Sequence, residues 1–153
     1  MTVVDVGDEA PDFELRDQHA QLHRLSDHRG KDNVLLVFYP FAFTGVCTGE
    51  MTALRDELSS LEAAGAVVYA ISCDTVPTLR EFAEREGLQH SMLSDFWPHG
   101  AVSTSYGVFN DTLGAAERGS FVIDRSGVVR WIVRNALPDA RTIGDYQKAL
   151  ADL

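Results

Sequence analysis

The sequence predicts an α/β fold, with a mixed central sheet flanked by helices and a β-hairpin leading into it. Three observations carry this reading. Two apolar runs rich in β-branched and aromatic residues, Val34–Tyr39 and Val67–Cys73, are separated by a stretch of helical periodicity. A second helical stretch follows the second run. Near the C-terminus, Ser120–Arg125 and Val128–Val133 flank the turn Asp124-Arg125-Ser126-Gly127, a strong antiparallel hairpin signal. A strand, a helix and a strand in this order imply a right-handed parallel crossover.

The elements follow in order. Asp12–Leu15 and Gln21–Leu25 read as short strands, with the polar stretch Arg16–Ala20 as their hairpin loop. Ser26–Lys31 is polar and leads into the buried strand Val34–Tyr39, which Pro40 ends. After the turn Phe41–Gly45 comes an amphipathic helix, Gly45–Ala64. Its apolar face carries Met51, Leu54, Leu58 and Leu61, and Gly65 is a fitting C-cap. Val67–Cys73 is the second buried strand. Asp74 or Thr75 caps a helix over Val76–Glu86, which Gly87 stops. Ser91–Leu93 fits a short strand and Pro98–Tyr106 a short helix. Thr142–Leu153 closes the chain as a helix with Ile143, Tyr146 and Leu150 on one side. No repeat or linker interrupts residues 1–153, so one domain is expected.

Composition narrows the function. The 153 residues are 45% hydrophobic and 24% charged, an ordinary globular profile. A net charge of −10 argues against binding nucleic acid or an anionic membrane by bulk electrostatics. No apolar segment reaches the roughly 18 residues of a membrane span. The N-terminal MTVVDVGDEAPDF lacks the basic and apolar regions of a secretory signal. Two cysteines do not make a disulfide framework, which points to a reducing cytoplasm. His19 and His23 are four apart, but on a loop and a strand, so both read as solvated histidines. His28, His90 and His99 add no ligand spacing, and Cys47 and Cys73 are not in a zinc arrangement. No phosphate-binding loop is present, so neither metal nor other cofactor is expected.

The chemistry concentrates at Val34–Glu50, VLLVFYPFAFTGVCTGE. Cys47 falls where a strand has just ended and a helix begins. The first turn of a helix exposes N–H groups without internal partners, and its dipole adds about half a positive charge. Both favour a thiolate over a thiol, and helix-start cysteines are often reactive for that reason. A lone cysteine is otherwise most often a buried core residue. The spacing Pro40-x-x-x-Thr44-x-x-Cys47, with Glu50 three residues on, weighs against that.

This spacing resembles the active-site signature of the peroxiredoxins. The stretches Phe41–Cys47, Leu93–Ser103 and Tyr106–Asn110 resemble the one-cysteine alkyl hydroperoxide reductase E group of mycobacteria and related actinobacteria. Similarity covers nearly the whole chain. One departure is Thr48, where many peroxiredoxins carry proline. The resemblance implies a thioredoxin-like fold and a thiol-dependent peroxidase acting on hydrogen peroxide, organic hydroperoxides or peroxynitrite. Cys47 would be the nucleophile. Thr44 would accept from the peroxide OH and orient the thiolate, and Pro40 would shield the sulfur. The backbone N–H groups of Val46 and Cys47 would bind peroxide oxygen. The family's arginine matches Arg118, and Glu50 either pairs with it or is a solvated first-turn residue. The resemblance also implies an external reductant, either a mycoredoxin with mycothiol or a thioredoxin, and a homodimer or higher oligomer. Phe96 and Trp97 read as core aromatics or as part of that dimer surface.

Cys73 ends a predicted buried strand. It reads as an inert thiol or, alternatively, as an internal resolving cysteine. Two other functions stay open at this point: a thioredoxin-fold disulfide oxidoreductase, and a non-enzymatic redox-sensing or holdase module. The first normally carries Cys-x-x-Cys, and Thr44 and Glu50 stand three residues either side of Cys47.

Overall fold

The computed structural model describes residues 3–153; Met1 and Thr2, the start of the acidic N-terminal stretch, lie outside them. The chain runs β1 (Glu14–Arg16), β2 (Leu22–Arg24), a 3-10 turn (Leu25–His28), β3 (Asn33–Phe38), α1 (Gly45–Ala63), β4 (Ala66–Ser72) and α2 (Val76–Glu86). It continues β5 (Ser91–Ser94), α3 (Ala101–Ser105), β6 (Phe109–Asn110), β7 (Ala115–Ala116), β8 (Arg118–Ile123), β9 (Val129–Asn135) and α4 (Ile143–Ala151). Seven strands form one mixed sheet in the order β2-β1-β5-β4-β3-β8-β9. Its centre, β3, β4 and β5, is parallel. The β1–β2 and β8–β9 hairpins extend it antiparallel on either side.

The alternation of side chains along a strand explains why β3 and β4 are apolar throughout. Leu35, Val37, Val68 and Ala70 face one core with Met51, Leu54 and Leu61 of α1, Phe82 of α2 and Leu150 of α4. Val34, Leu36, Phe38, Tyr69 and Ile71 face a second core with Phe13, Leu15, Tyr106 and Phe121. Both faces are covered, so neither strand has a polar side. In the β8–β9 turn Gly127 has φ +83, a conformation that costs glycine little.

Several expectations need correction. Arg16 belongs to β1, and the loop after it is turned inward: Asp17 and Gln18 are buried. Gln18 Nε2 donates to the His90 carbonyl at 3.1 Å, and its Oε1 accepts from Met92 N at 2.8 Å, so it satisfies backbone groups beside β5. The Pro98–Tyr106 helix is only Ala101–Ser105, because buried Asp95 accepts from the N–H groups of Val102 and Ser103 and sets its start. β6 and β7 were not expected; two residues each carry no readable alternation. His23 is not a solvated surface residue: it bonds Asp17 and Tyr69. Trp97 is not a core residue, being 80% exposed.

His90 is buried with no hydrogen-bond partner for either ring nitrogen among the described residues. Burial pushes its imidazolium down to about 4 from the usual 6.5. The unfolded chain therefore binds the proton first as pH falls. Burial of His90 is expected to cost up to about 3 kcal/mol of stability as pH falls from 6.5 to 4, and the part of this drop above about pH 4.5 should vanish in His90→Leu. Urea unfolding across that range measures it.

Candidate active site

Cys47 is the third residue of α1 and lies at the carboxyl end of the parallel strands, where α/β folds place their sites. β3 delivers the chain to Tyr39, whose N–H bonds the Ile71 carbonyl at 3.0 Å, and buried Pro40 then turns it. The turn is held from two sides. Asp74 accepts from Ala42 N at 2.9 Å and from the Ser72 hydroxyl at 2.7 Å. Phe43, at φ +69, is strained for a bulky residue. Its ring packs on Phe82 with centroids 5.0 Å apart, and the Arg85 guanidinium lies 5.5 Å from its centroid.

Thr44 is the N-cap of α1, yet its hydroxyl does not cap the helix. Instead Oγ1 donates to the Phe41 carbonyl at 2.8 Å. Two consequences follow. The hydroxyl proton is engaged, so what the oxygen has left to offer is an acceptor. The N–H groups of Val46 and Cys47, which an N-cap side chain normally occupies, have no acceptor among the described residues. The helix entrance is left ready for an incoming oxygen.

Cys47 is fully buried. Arg118, the first residue of β8, reaches it: Nη1 donates to Sγ at 3.3 Å. The same nitrogen is 2.5 Å from Glu50 Oε1, and Nε donates to the Leu137 carbonyl at 2.5 Å. Glu50 is thus a buried partner of Arg118 and not a solvated first-turn residue. The family resemblance pointed to Arg118 beside Cys47 and left Glu50 open between these two places; what anchors Glu50 was missed. Arg141 donates to Glu50 Oε2 from Nε and from its backbone N, both at 2.8 Å, and to Oε1 from Nη2 at 2.9 Å. Its Nη1 also donates to the Gly119 carbonyl and the Ser120 hydroxyl, each at 2.9 Å. Ser120 bonds Tyr146 of α4 at 2.8 Å. Burial alone would raise the Glu50 carboxyl, but the Arg141 hydrogen bonds and the two positive charges outweigh it and hold the group below the usual carboxylate range.

Gly119 lets this strand approach closely, since a Cβ there would meet Val108 Cγ1 at 2.6 Å. No local pattern in the sequence marks Arg141, which follows the loop Ala136-Leu137-Pro138-Asp139-Ala140. A buried Glu carrying one arginine from β8 is the only cue, and it requires the fold. Cys73 is buried just beyond β4, and burial first, then the Asp95 charge, pushes its thiol up to about 11. Both cysteines are free.

Residues 6–132 match the model of the AhpC/TSA family. The chain belongs to that family. It is 48% identical over 151 residues to alkyl hydroperoxide reductase E of Mycobacterium tuberculosis, covering 99% of both chains. A putative peroxiredoxin bcp of Haemophilus influenzae is 35% identical over 158 residues, with 99% of this chain and 97% of that one covered. The crystal structure of peroxidoxin BcpB from Mycobacterium tuberculosis superposes with a TM-score of 0.83 at 33% identity, over 97% of this chain and 95% of that one. A reduced 2-Cys peroxiredoxin of Plasmodium vivax gives a TM-score of 0.85 at 27% identity, over 99% of this chain and 81% of that one. The AhpC/TSA fold here is the thioredoxin-like one of the peroxiredoxins, and the chain is a thiol-dependent peroxidase.

Proposed function

We propose that Cys47 is the peroxidatic nucleophile of a one-cysteine enzyme, and that residues 1–153 work as one domain. The observation that carries this is the Arg118 guanidinium 3.3 Å from Sγ at an uncapped helix entrance. The Cys47 thiolate attacks the terminal oxygen of a hydroperoxide and the O–O bond breaks. Sulfur keeps that oxygen as a sulfenic acid, and the departing oxygen takes up a proton to leave as water or an alcohol. The Val46 and Cys47 N–H groups and Arg118 offset the charge that develops on the oxygens. Thr44 accepts the peroxide O–H, and Pro40, lacking an N–H, screens the sulfur from water.

The sulfenic acid is then reduced by two external thiols, which form a disulfide and release water. A mycoredoxin with mycothiol, or a thioredoxin, is the reductant class. Hydrogen peroxide, organic hydroperoxides and peroxynitrite are the substrates, in the cytoplasm. A second copy of the chain is the proposed partner. Trp97, 80% exposed, and Phe96, 45% exposed, support this, with Leu22 beside them along an open groove of about 300 Å3.

Arg118→Ala is expected to slow peroxide reaction about a hundredfold, as loss of one charge-stabilising donor does elsewhere. The fold should survive, because Glu50 keeps Arg141 as its partner. Stopped-flow with hydrogen peroxide and an organic hydroperoxide measures this; a rate unchanged for both would refute the role. Mass spectrometry after one equivalent of peroxide tests the one-cysteine mechanism. A sulfenic acid on Cys47, with Cys73→Ser reacting at the wild-type rate, is the expected result. An intramolecular Cys47–Cys73 disulfide would overturn it.

A further inference from the structure

Five side chains form an unbroken hydrogen-bonded chain around Tyr69, which belongs to the core on the face of the sheet away from Cys47. Asp17 Oδ2 is 2.7 Å from His23 Nε2, and His23 Nδ1 is 3.2 Å from the Tyr69 hydroxyl. On the other side of the phenol, His28 Nε2 is 2.5 Å away, and His28 Nδ1 is 3.1 Å from Asp32 Oδ2. Asp17 sits in the β1–β2 turn, His23 on β2, Tyr69 on β4, His28 at the end of the 3-10 turn and Asp32 just before β3.

Each of these four links needs one hydrogen. Ionised Asp17 and Asp32 supply none. Two neutral imidazoles supply one each and the phenol supplies one, which makes three. The shortfall does not depend on which tautomers are chosen. Tyr69 is a phenol and not a phenolate, since burial and then the charges of Asp27, Asp32 and Asp17 push it up to about 12. Burial opposes ionisation of Asp17, but the bonds from His23, His19 N and Gln21 N outweigh it and hold the carboxylate.

We propose that the Asp17–His23–Tyr69–His28–Asp32 chain is a binding site for one further proton, and that this proton latches the N-terminal hairpin and the 3-10 turn to β4. With it bound, one imidazole is a cation that donates to its carboxylate and to the phenol oxygen. The phenol donates to the other, neutral imidazole, which donates to the second carboxylate. All four links are filled. Without it, one link must go empty; an imidazole lone pair against a carboxylate is costlier than one against the neutral phenol oxygen, so the gap falls at the phenol and that link opens.

The surroundings favour the extra positive charge. Asp17, Asp27 and Asp32 face the chain from the β1–β2 turn, the 3-10 turn and the segment before β3. Arg29 and Asp124 share the crevice beside His28, and Asp124 is already paired with Arg130 at 3.1 Å. Arg24 on β2 is taken by Glu14. On the strands flanking Tyr69, its register partners Leu36 and Ser91 carry no charge. The folded protein thus holds a proton that the open chain does not, so the latch weakens as pH rises. This is the opposite sense to His90, whose effect lies below about pH 6.5.

Two measurements test it between about pH 6.5 and pH 9, above the range of His90. In wild-type protein, side-chain 15N NMR of the histidines should show close to one imidazolium shared between His23 and His28 at about pH 7.5, where two ordinary imidazoles would together hold only about a fifth of a proton. Two neutral rings there would overturn the proposal, and this arm needs no variant to fold. In urea, the midpoint gap between wild type and Tyr69→Phe should fall to about half at the alkaline end, because the hydroxyl then makes one bond in place of two. A gap that stays constant with pH would overturn it as well. Neither readout involves peroxide, so the result stands apart from the peroxidase reading.

Discussion

Cys47→Ser is expected to abolish peroxide consumption, a fall of more than about four orders of magnitude in the second-order rate. A serine hydroxyl in the same place stays protonated at neutral pH and is a far weaker nucleophile toward an O–O bond. The fold should tolerate the change, because serine is close to cysteine in shape and Arg118 Nη1 can donate to its oxygen as it does to Sγ. The check is stopped-flow peroxide decay alongside a urea melt of the same preparation. An inactive variant with a wild-type midpoint assigns the loss to chemistry; an active one would return Cys47 to the status of a core cysteine.

Glu50→Ala should be the most destabilising single change at the site, costing about 3–5 kcal/mol, because it leaves two buried guanidinium groups without their carboxylate. Arg118 and Arg141 both converge on Glu50, and Arg141 alone makes three hydrogen bonds to it. Peroxide reactivity should fall with it, since the carboxylate fixes the Arg118 nitrogen that touches Sγ. Glu50→Gln separates the two effects: it keeps an oxygen acceptor for Arg141 but removes the charge. The same pair sets a pH dependence. The folded carboxyl titrates below its unfolded value, so its contribution is complete above about pH 4.5 and is lost as pH falls further. Urea midpoints of the three proteins at neutral pH measure the stability terms.

The position of Cys47, its turn and its helix were legible because they are local. Strand residues, a proline stop, a threonine and a cysteine within one short segment state their own geometry. Arg118 was legible only through family resemblance, as an arginine before a strand is ordinarily solvated. Arg141 was not legible at all. Its burial is produced by α4 and β8 closing over Glu50, and nothing in the residues around it signals that. His23 was misread for the same reason: it looks like a surface residue until β1 and β2 fold back against Tyr69 on β4.

By itself, the sequence determined the order of the seven sheet strands and the helices, though not β6 and β7, and placed a cysteine at a helix entrance, because hydrophobic period and turn chemistry act over a few residues. Only the tertiary structure decided which charges meet. Arg118, Arg141 and Glu50 lie up to 91 residues apart in the chain, and their contacts follow from the sheet order and the closing helix. It also decided that Thr44 turns its proton away from the helix entrance, since that depends on where the Phe41 carbonyl points.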